Sequence, residues 1–257
     1  MTSQAEKTAE FHALHRNGNP LVLINIWDPG SAAAVAAGGA SALATGSASV
    51  AGAFGSSDGE AMPLELVLDN AARIVSSTSL PVSLDFEGGY ARDSATLREN
   101  IRRVVATGVV GINFEDQIIG GAGLHPAEFQ AERIAAARAA ANACGVDLFI
   151  NARTDVWLDA GRETIPETDR LDSALVRAKA YAAAGASGFF VPGLDSAEQL
   201  AAICQSTVLP VNAMFFDGMP TIEELTSLGV ERISFGPGPW RGAMAALTDS
   251  ARAVYQT

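Results

Sequence analysis

The chain has 257 residues, of which 48% are hydrophobic, so it has enough apolar sequence to bury a sizeable core. Its 17 basic and 29 acidic residues leave a formal net charge of −12 at pH 7, which argues against nucleic acid or an anionic membrane surface as a partner, because both bind positive charge. No apolar run is long enough to span a membrane, and the polar N-terminal stretch lacks the apolar centre of a signal peptide, so we expect a cytoplasmic protein.

Short apolar runs and amphipathic segments alternate along the whole chain. Continuous apolar runs such as residues 21–25 are typical of parallel strands that are buried on both faces, and apolar positions three and four residues apart predict helices. The predicted strands are residues 21–25, 42–45, 81–86, 109–114, 148–152, 188–191, 208–213 and 231–235. The predicted helices are residues 3–17, the segment from the turn at 28–31 through 37, 62–77, 94–107, 128–144, 169–184, 196–204, 221–228 and a last helix from about 239.

A leading helix followed by eight strand–helix units predicts an α/β fold, the (β/α)8 TIM-type barrel, formed by residues 1–257 as a single domain. A doubly wound parallel sheet is the alternative, but such sheets seldom contain eight evenly sized units. In a TIM-type barrel the active site lies at the carboxyl ends of the strands, so the polar residues that follow each strand are the candidates for chemistry.

Asp85 and Glu87 end the third predicted strand and are followed by two glycines. Residues two apart in a strand point to the same side, so the two carboxylates are predicted to lie together. Like charges in this arrangement repel unless a cation or a proton is shared, and Mg2+ is a hard cation that prefers oxygen ligands. The alternative interpretation is a solvated strand end followed by a polar turn.

Other predicted strands deliver polar residues to the same mouth. Glu115 follows strand four, Arg153 follows strand five and Asn212 ends strand seven. An arginine can hold a carboxylate with two parallel hydrogen bonds, and backbone amides released by Gly46 can form a second anion site. Together these residues predict a site for a metal ion and an organic anion.

Five segments resemble the isocitrate lyase/phosphoenolpyruvate mutase superfamily and occur in the order of that family. They are Thr45-Gly46-Ser47, Asp58, the run from Leu84 to Tyr90, Phe114-Glu115-Asp116, and the run from Asn151 to Asp155. The resemblance implies a Mg2+ cofactor, with Mn2+ as the alternative, and a small-molecule 2-oxo acid or its enolate as ligand. It also implies a homo-oligomer, a dimer of dimers in which a C-terminal helix is swapped between subunits.

The motif positions lead to three groups of candidate residues. The metal-binding candidates are Asp85, Glu87 and Glu115, of which the resemblance implies direct binding by Asp85 and water-mediated binding by the others and by Asp58. The substrate-binding candidates are Thr45, Gly46, Ser47, Ala48, Arg153 and Asn212. The catalytic candidates are Arg153, Asp58 and His125.

The loop at residues 117–125 departs from the superfamily. Lyases of the superfamily have a cysteine acid/base in a lysine-containing lid here, and mutases have a lysine and an asparagine, whereas this loop has neither cysteine nor lysine. His125 is the histidine nearest the predicted mouth, and the alternative is that it is a surface-loop residue. The two lysines, Lys7 and Lys179, do not end predicted strands, which argues against Schiff-base chemistry.

Two classes of function remain open. The first is a Mg2+-dependent carbon–carbon lyase that cleaves or decarboxylates a 2-oxo acid through an enolate. The second is a 2-oxo-acid-binding protein, or an enzyme like the phosphonopyruvate/phosphoenolpyruvate mutases or hydrolases, without lyase activity. The missing lid cysteine argues against cleavage of isocitrate and methylisocitrate.

Overall fold

The computed structural model describes residues 2–256. All strand pairs in this part of the chain are parallel. The strands are β1 (Leu21–Leu23), β2 (Asn25–Ile26), β3 (Leu43–Thr45), β4 (Val82–Asp85), β5 (Gly111–Glu115), β6 (Phe149–Arg153), β7 (Gly188–Val191), β8 (Val211–Met214) and β9 (Arg232–Ser234).

The helices lie between the strands in sequence, and most of them cover the outer face of the sheet. They are α1 (Gln4–Ala13), α2 (Pro29–Ala37), α3 (Ser47–Ala53), α4 (Leu64–Ser76), α5 (Ser94–Ala106), α6 (Ala127–Ala143), α7 (Asp159–Thr164), α8 (Arg170–Ala183), α9 (Ala197–Ser206), α10 (Ile222–Ser227) and α11 (Gly238–Tyr255). No helix in residues 2–256 is long and apolar enough to cross a membrane.

The sheet closes through its first strand. Its order is β1-β9-β8-β7-β6-β5-β4-β3-β2, and its two ends, β1 and β2, are separated in the chain by Ile24 alone. One continuous segment therefore pairs with β9 through residues 21–23 and with β3 through residues 25–26. Because β1 and β2 form one segment, the nine strands occupy eight positions around the barrel, and these correspond to the eight predicted strands. The predicted (β/α)8 fold is confirmed.

Helix α1 covers the amino-terminal end of the barrel. Its Phe11 is fully buried and packs edge-on against Phe149 of β6, with ring centroids 5.3 Å apart. Leu23, Ala44 and Val110 belong to the same apolar cluster. This end is therefore closed mainly by apolar side chains, with the guanidinium of Arg232 lying 5.8 Å from the centre of the Phe11 ring.

Two short helices were missed by the sequence analysis. Neither is among the predicted helices, because the seven residues of α3 are mostly small and include glycine and α7 falls in a stretch with no apolar periodicity. Both begin at the carboxyl end of a strand, just after β3 and β6 respectively. They therefore narrow the mouth where the candidate residues lie.

Candidate active site

A cavity of about 430 Å³ opens at the carboxyl end of the barrel. Six of the predicted site residues line it, namely Gly46, Ser47, Ala48, Asp58, Asp85 and Arg153. Leu158, Phe190, Pro192 and Met214 form an apolar wall beside them. The cavity thus combines charged groups with a surface on which the carbon skeleton of a ligand can pack.

Asp85 is the last residue of β4 and lies at the floor of the cavity. Its Oδ2 accepts a hydrogen bond of 2.9 Å from the Ser47 amide, and its own amide donates to Thr45 Oγ1 over 2.8 Å. Its Oδ1 is buried and has no hydrogen-bond partner. Thr45 is itself buried and does not line the cavity, so the structure places it behind Asp85, where it orients the strand end.

Arg153 ends β6 and is held by two carboxylates. Its Nη1 lies 2.8 Å from Glu115 Oε2, and its Nε and Nη2 donate to Asp155 over 2.6 and 2.8 Å. Burial lowers the pKa of Arg153, but the charges of Asp155 and Glu115 outweigh it and raise the pKa well above its ordinary value. Arg153 is therefore a permanently charged group, fixed in orientation at the cavity wall.

Glu87 does not line the cavity that holds Arg153, although it shares a small adjacent space with Asp85. The strand ends at Asp85, and Glu87 has a left-handed backbone conformation with φ +49°, so the two-residue alternation of a strand does not extend to it. Its carboxylate accepts hydrogen bonds from the Glu60 amide over 2.5 Å and from the Tyr90 hydroxyl over 2.9 Å. Burial, together with the charges of Asp58 and Asp85, raises the pKa of Glu87 to about 7.

Asp58 lines the same cavity as Arg153. Burial and the charge of Asp85 raise its pKa, whereas a hydrogen bond from the Ser47 side chain and the charge of Arg153 act in the other direction. The pKa of Glu115 is also raised well above its ordinary value, chiefly by burial. The mouth therefore concentrates carboxylates whose negative charges are only partly balanced.

These groups fit a divalent cation in one specific way. Asp85 lines the cavity and its buried Oδ1 has no hydrogen-bond donor, so this oxygen is unused by the protein, and the nearby carboxylates of Asp58, Glu87 and Glu115 favour positive charge. Within residues 2–256, however, no group of three or more histidine, cysteine, aspartate or glutamate side chains is arranged to hold a metal by itself. Direct binding by Asp85, with water molecules held by Asp58, Glu87 and Glu115, would fit this arrangement.

His125 lies in a neighbouring cavity. This second cavity, of about 730 Å³, is lined by His125, Glu60, Arg133 and the loop residues 117–121, and Gln117 lines both cavities. The His125 amide donates to the Asp116 carbonyl over 2.8 Å, which fixes the end of the loop. Burial lowers the pKa of His125, and the structure does not bring its side chain to the cavity that holds Asp85 and Arg153.

Asn212 also lies outside the cavity. It is fully buried, its Oδ1 accepts from Asn151 Nδ2 over 3.0 Å, and its Nδ2 donates to Ala213 O and Ser234 Oγ. Both atoms of its amide are thus used within the barrel. The predicted contact between Asn212 and a substrate is not brought about by this arrangement.

Three further residues, which are not among the predicted site residues, lie at the mouth of the barrel. Glu60 follows the Asp58-Gly59 turn and has φ +58°, and Arg241 reaches the cavity from the first turn of α11. Asn113 lines the cavity from β5. The alternation of Gly111, Asn113 and Glu115 with two apolar residues could have revealed Asn113, whereas the contribution of α11 has no local sequence signal.

A profile of the phosphoenolpyruvate phosphomutase family matches residues 11–255 of the chain. The chain belongs to this family. The resemblance to the isocitrate lyase/phosphoenolpyruvate mutase superfamily is thereby confirmed, and that superfamily comprises lyases, mutases and hydrolases that act on 2-oxo acids.

Three proteins that are similar to this chain match most of its length. The crystal structure of a phosphonomutase-like protein from Burkholderia cenocepacia J2315 has a TM-score of 0.93 and 47% identity, covering 98% of this chain and 99% of that one. A functionally uncharacterised protein of Mycobacterium tuberculosis (strain ATCC 25618 / H37Rv) is 33% identical over 251 residues, 95% of this chain and 88% of that protein. An oxaloacetate decarboxylase of Bradyrhizobium sp. (strain BTAi1 / ATCC BAA-1182) is 28% identical over 214 residues, 81% of this chain and 71% of that protein.

Proposed function

We propose that the protein is a Mg2+-dependent lyase that acts on a small 2-oxo acid through an enolate, with decarboxylation of an oxaloacetate-like substrate as its reaction. The observation that carries this proposal is the position of Arg153 and Asp85 on the same cavity of about 430 Å³, with an unpartnered oxygen on Asp85. A permanent cation and a free carboxylate oxygen are the groups needed to hold an organic anion together with a metal ion.

The chain's own residues would position the substrate. Arg153 would supply fixed positive charge beside the substrate carboxylate and keto oxygen, and the segment Gly46-Ser47-Ala48 lines the same cavity. When the C3–C4 bond breaks, its electron pair moves to the keto oxygen, carbon dioxide leaves and C3 of the enolate takes a proton from water. A bound Mg2+ supplies stabilisation of the negative charge on that oxygen.

The loop at residues 117–125 favours this reaction over cleavage of isocitrate. The loop contains no cysteine or lysine, and its His125 lies in the neighbouring cavity. Decarboxylation needs no positioned acid because water can protonate the enolate, whereas a missing general acid typically costs about 10²–10⁴-fold in rate. The relative from Bradyrhizobium sp. that is named an oxaloacetate decarboxylase supports the same choice.

The test compares two substrates on the purified protein in the presence and absence of Mg2+. Oxaloacetate should release pyruvate in a metal-dependent reaction, measured against its spontaneous decarboxylation, and isocitrate should release negligible glyoxylate. His125→Ala should change oxaloacetate turnover less than Arg153→Lys does, because only Arg153 lines the cavity. Efficient cleavage of isocitrate, or turnover of oxaloacetate no faster than without protein, would contradict the proposal.

A mutase-like or hydrolase-like reaction on phosphonopyruvate is the second candidate. The 47% identity to a phosphonomutase-like protein of almost identical length is the observation that favours it. Phosphonopyruvate offers the same carboxylate and keto oxygen to Arg153, so binding alone does not separate the candidates. Formation of phosphoenolpyruvate, or of phosphate and pyruvate, from phosphonopyruvate would select this second reaction.

We also infer that the protein forms a homo-oligomer through α11. This helix starts against α3, where a Cβ atom added to Gly52 would lie 2.7 Å from the Trp240 ring, but none of its residues is buried. Met244, Leu247 and Tyr255 are 36%, 63% and 85% exposed. A second copy of the chain can cover this apolar face, as the predicted dimer of dimers requires. Light scattering should show that Leu247→Glu lowers the molar mass of the assembly, while Ala253→Glu, at an exposed position on the opposite side of the helix, does not.

A further inference from the structure

Arg232 is a buried cation inside the barrel whose guanidinium has no carboxylate within ion-pair distance in the described part of the chain, although the charge of Asp85 acts on it. It is the first residue of β9, its side chain is 1% exposed, and its guanidinium lies 5.8 Å from the centre of the Phe11 ring. Among residues 2–256 it takes part in no ion pair, and its Nε and Nη1 have no hydrogen-bond partner. Its one side-chain hydrogen bond runs from Nη2 to Asn113 Oδ1, over 3.1 Å.

This contact determines which way the Asn113 amide points. A guanidinium has five N–H donors and no acceptor, so the Asn113 atom that faces Arg232 must be the oxygen. Asn151 Nδ2 donates to the same oxygen over 2.9 Å and to Asn212 Oδ1 over 3.0 Å. The buried arginine therefore determines, in all three asparagines, which way the oxygen and the NH2 group of the side-chain amide point.

With its oxygen turned inward, Asn113 presents its NH2 group to the cavity. Asn113 lines the cavity and is the register partner of Asp85 on the adjacent strand. In the described part of the chain Asn113 Nδ2 has no protein acceptor. This atom is not fully buried, so it is accessible from the cavity. A ligand oxygen at the cavity floor can therefore accept its hydrogen bond.

We propose that Asn113 is a ligand-binding hydrogen-bond donor at the floor of the cavity, and that Arg232 is the positioning residue that keeps its amide in the donor orientation. The proposal rests on the proposed function for the class of its ligand, a 2-oxo acid or its enolate. Asn113 donates to an oxygen of that ligand beside Asp85. The barrel thus extends the binding site from its rim to its interior.

The decisive variant is Asn113→Asp. An aspartate has the same size and can form an ion pair with Arg232, so the folded protein should be at least as stable as the wild type. It lacks the NH2 group and places negative charge next to the ligand. Affinity for oxalate with saturating Mg2+ should therefore fall by about 10–100-fold, since a hydrogen bond to a charged acceptor is lost. A purely structural Asn113 would instead show changes in stability and in oxalate affinity that run in parallel.

Two variants of Arg232 test its positioning role. Arg232→Lys keeps a side chain that only donates, and should retain oxalate affinity within a few-fold of the wild type. Arg232→Met removes the donor, so the Asn113 amide can turn over, and oxalate affinity should fall while the melting temperature without ligand is maintained. Equal oxalate affinity in Arg232→Met and the wild type would refute the positioning role.

The experiment is calorimetric titration of oxalate into the Mg2+-loaded wild type, these three variants and Arg153→Lys. Wild-type binding that is weakened in Arg153→Lys but unchanged in Asn113→Asp would overturn the inference and leave the proposed function intact. Absence of oxalate binding in the wild type would overturn the proposed ligand class and the inference with it. Weakened binding in Asn113→Asp at undiminished stability is the expected result.

Discussion

Glu115 Oε2 lies 2.8 Å from Arg153 Nη1, and these two residues are register partners at the ends of β5 and β6. Asp155 holds the other edge of the same guanidinium. The charge of Arg153 is therefore already balanced by two carboxylates, with Asp58 and Asp85 close by. A dianionic ligand meets a site of net negative charge unless a cation enters with it.

Oxalate, a planar dianion that resembles the enolate of pyruvate, should consequently bind only together with Mg2+. We expect it to raise the melting temperature in the presence of Mg2+ and not in its absence, because a ligand stabilises the state to which it binds. Arg153→Lys should reduce this increase strongly, since a lysine cannot reproduce two-pronged hydrogen bonding.

The matched control for this prediction is Arg138→Lys. The Arg138 side chain is 16% exposed, close to the 15% of Arg153, and it pairs with Asp147 away from the mouth. Arg138→Lys should leave unchanged the increase in melting temperature that oxalate causes in the presence of Mg2+. Equal stabilisation by oxalate with and without metal would contradict the dependence on a cation.

Asp85→Ala should abolish Mg2+ binding without unfolding the protein. The substitution removes the one buried, unpartnered carboxylate oxygen at the cavity floor and relieves repulsion with Asp58 and Glu87. Titration calorimetry measures the affinity. Asp159→Ala, at an exposed position on the same cavity, is the control and should retain Mg2+ affinity within a few-fold. Unchanged affinity in Asp85→Ala would show that the metal site lies elsewhere.

The metal-free protein should lose stability as the pH rises from about 4.5 to about 7. Burial raises the pKa of Glu87 from 4.5 to about 7, so in this range the native state keeps a proton that the unfolded chain releases. The stabilisation is complete below the unfolded pKa and is lost as the pH rises through the folded one. The pKa values of Asp58, Glu60 and Glu115 are raised as well and act in the same direction.

Glu87→Gln removes one of the carboxyl groups whose pKa is raised in the folded protein. The pH dependence of the free energy of unfolding should therefore become shallower, by up to about 1.4 kcal/mol per pH unit. Urea denaturation at several pH values between 4.5 and 8 measures it, with the exposed Glu128→Gln as the carboxylate-to-amide control. A slope that is the same in Glu87→Gln and the wild type would place the proton elsewhere.

Arg177→Met should destabilise the fold by about 3–5 kcal/mol, because it leaves the Asp116 carboxylate buried without its cation. Arg177 Nη1 lies 2.8 Å from Asp116 Oδ2, which also accepts from the Tyr181 hydroxyl over 2.7 Å. Denaturation in urea measures the loss. Arg103→Met, which breaks the exposed pair with Glu65, should cost less than about 1 kcal/mol. Similar losses in both variants would contradict a special role of the buried pair.

Asp116 and its neighbour Glu115 point in different directions although they belong to the same sequence motif. Glu115 and Asp116 are neighbours at the end of β5, but Glu115 turns to Arg153 whereas Asp116 turns outward to Arg177 of α8. The alternation of a strand predicts opposite directions for two successive residues. The identity of the outward partner, 61 residues further along the chain, has no local signal.

The sequence by itself determined the barrel and the composition of its mouth. Apolar runs spaced by amphipathic segments admit few other parallel folds, and polar residues that follow buried strands meet at one end, as Asp85 and Arg153 do. Only the tertiary structure decided which of these residues share a cavity. Glu87 lies outside it because its backbone is left-handed after the strand, His125 lies in the next cavity, and the Asn113 amide meets the buried Arg232, 119 residues further along the chain. Such contacts depend on how distant segments pack, and the local pattern of residue types carries no record of that packing.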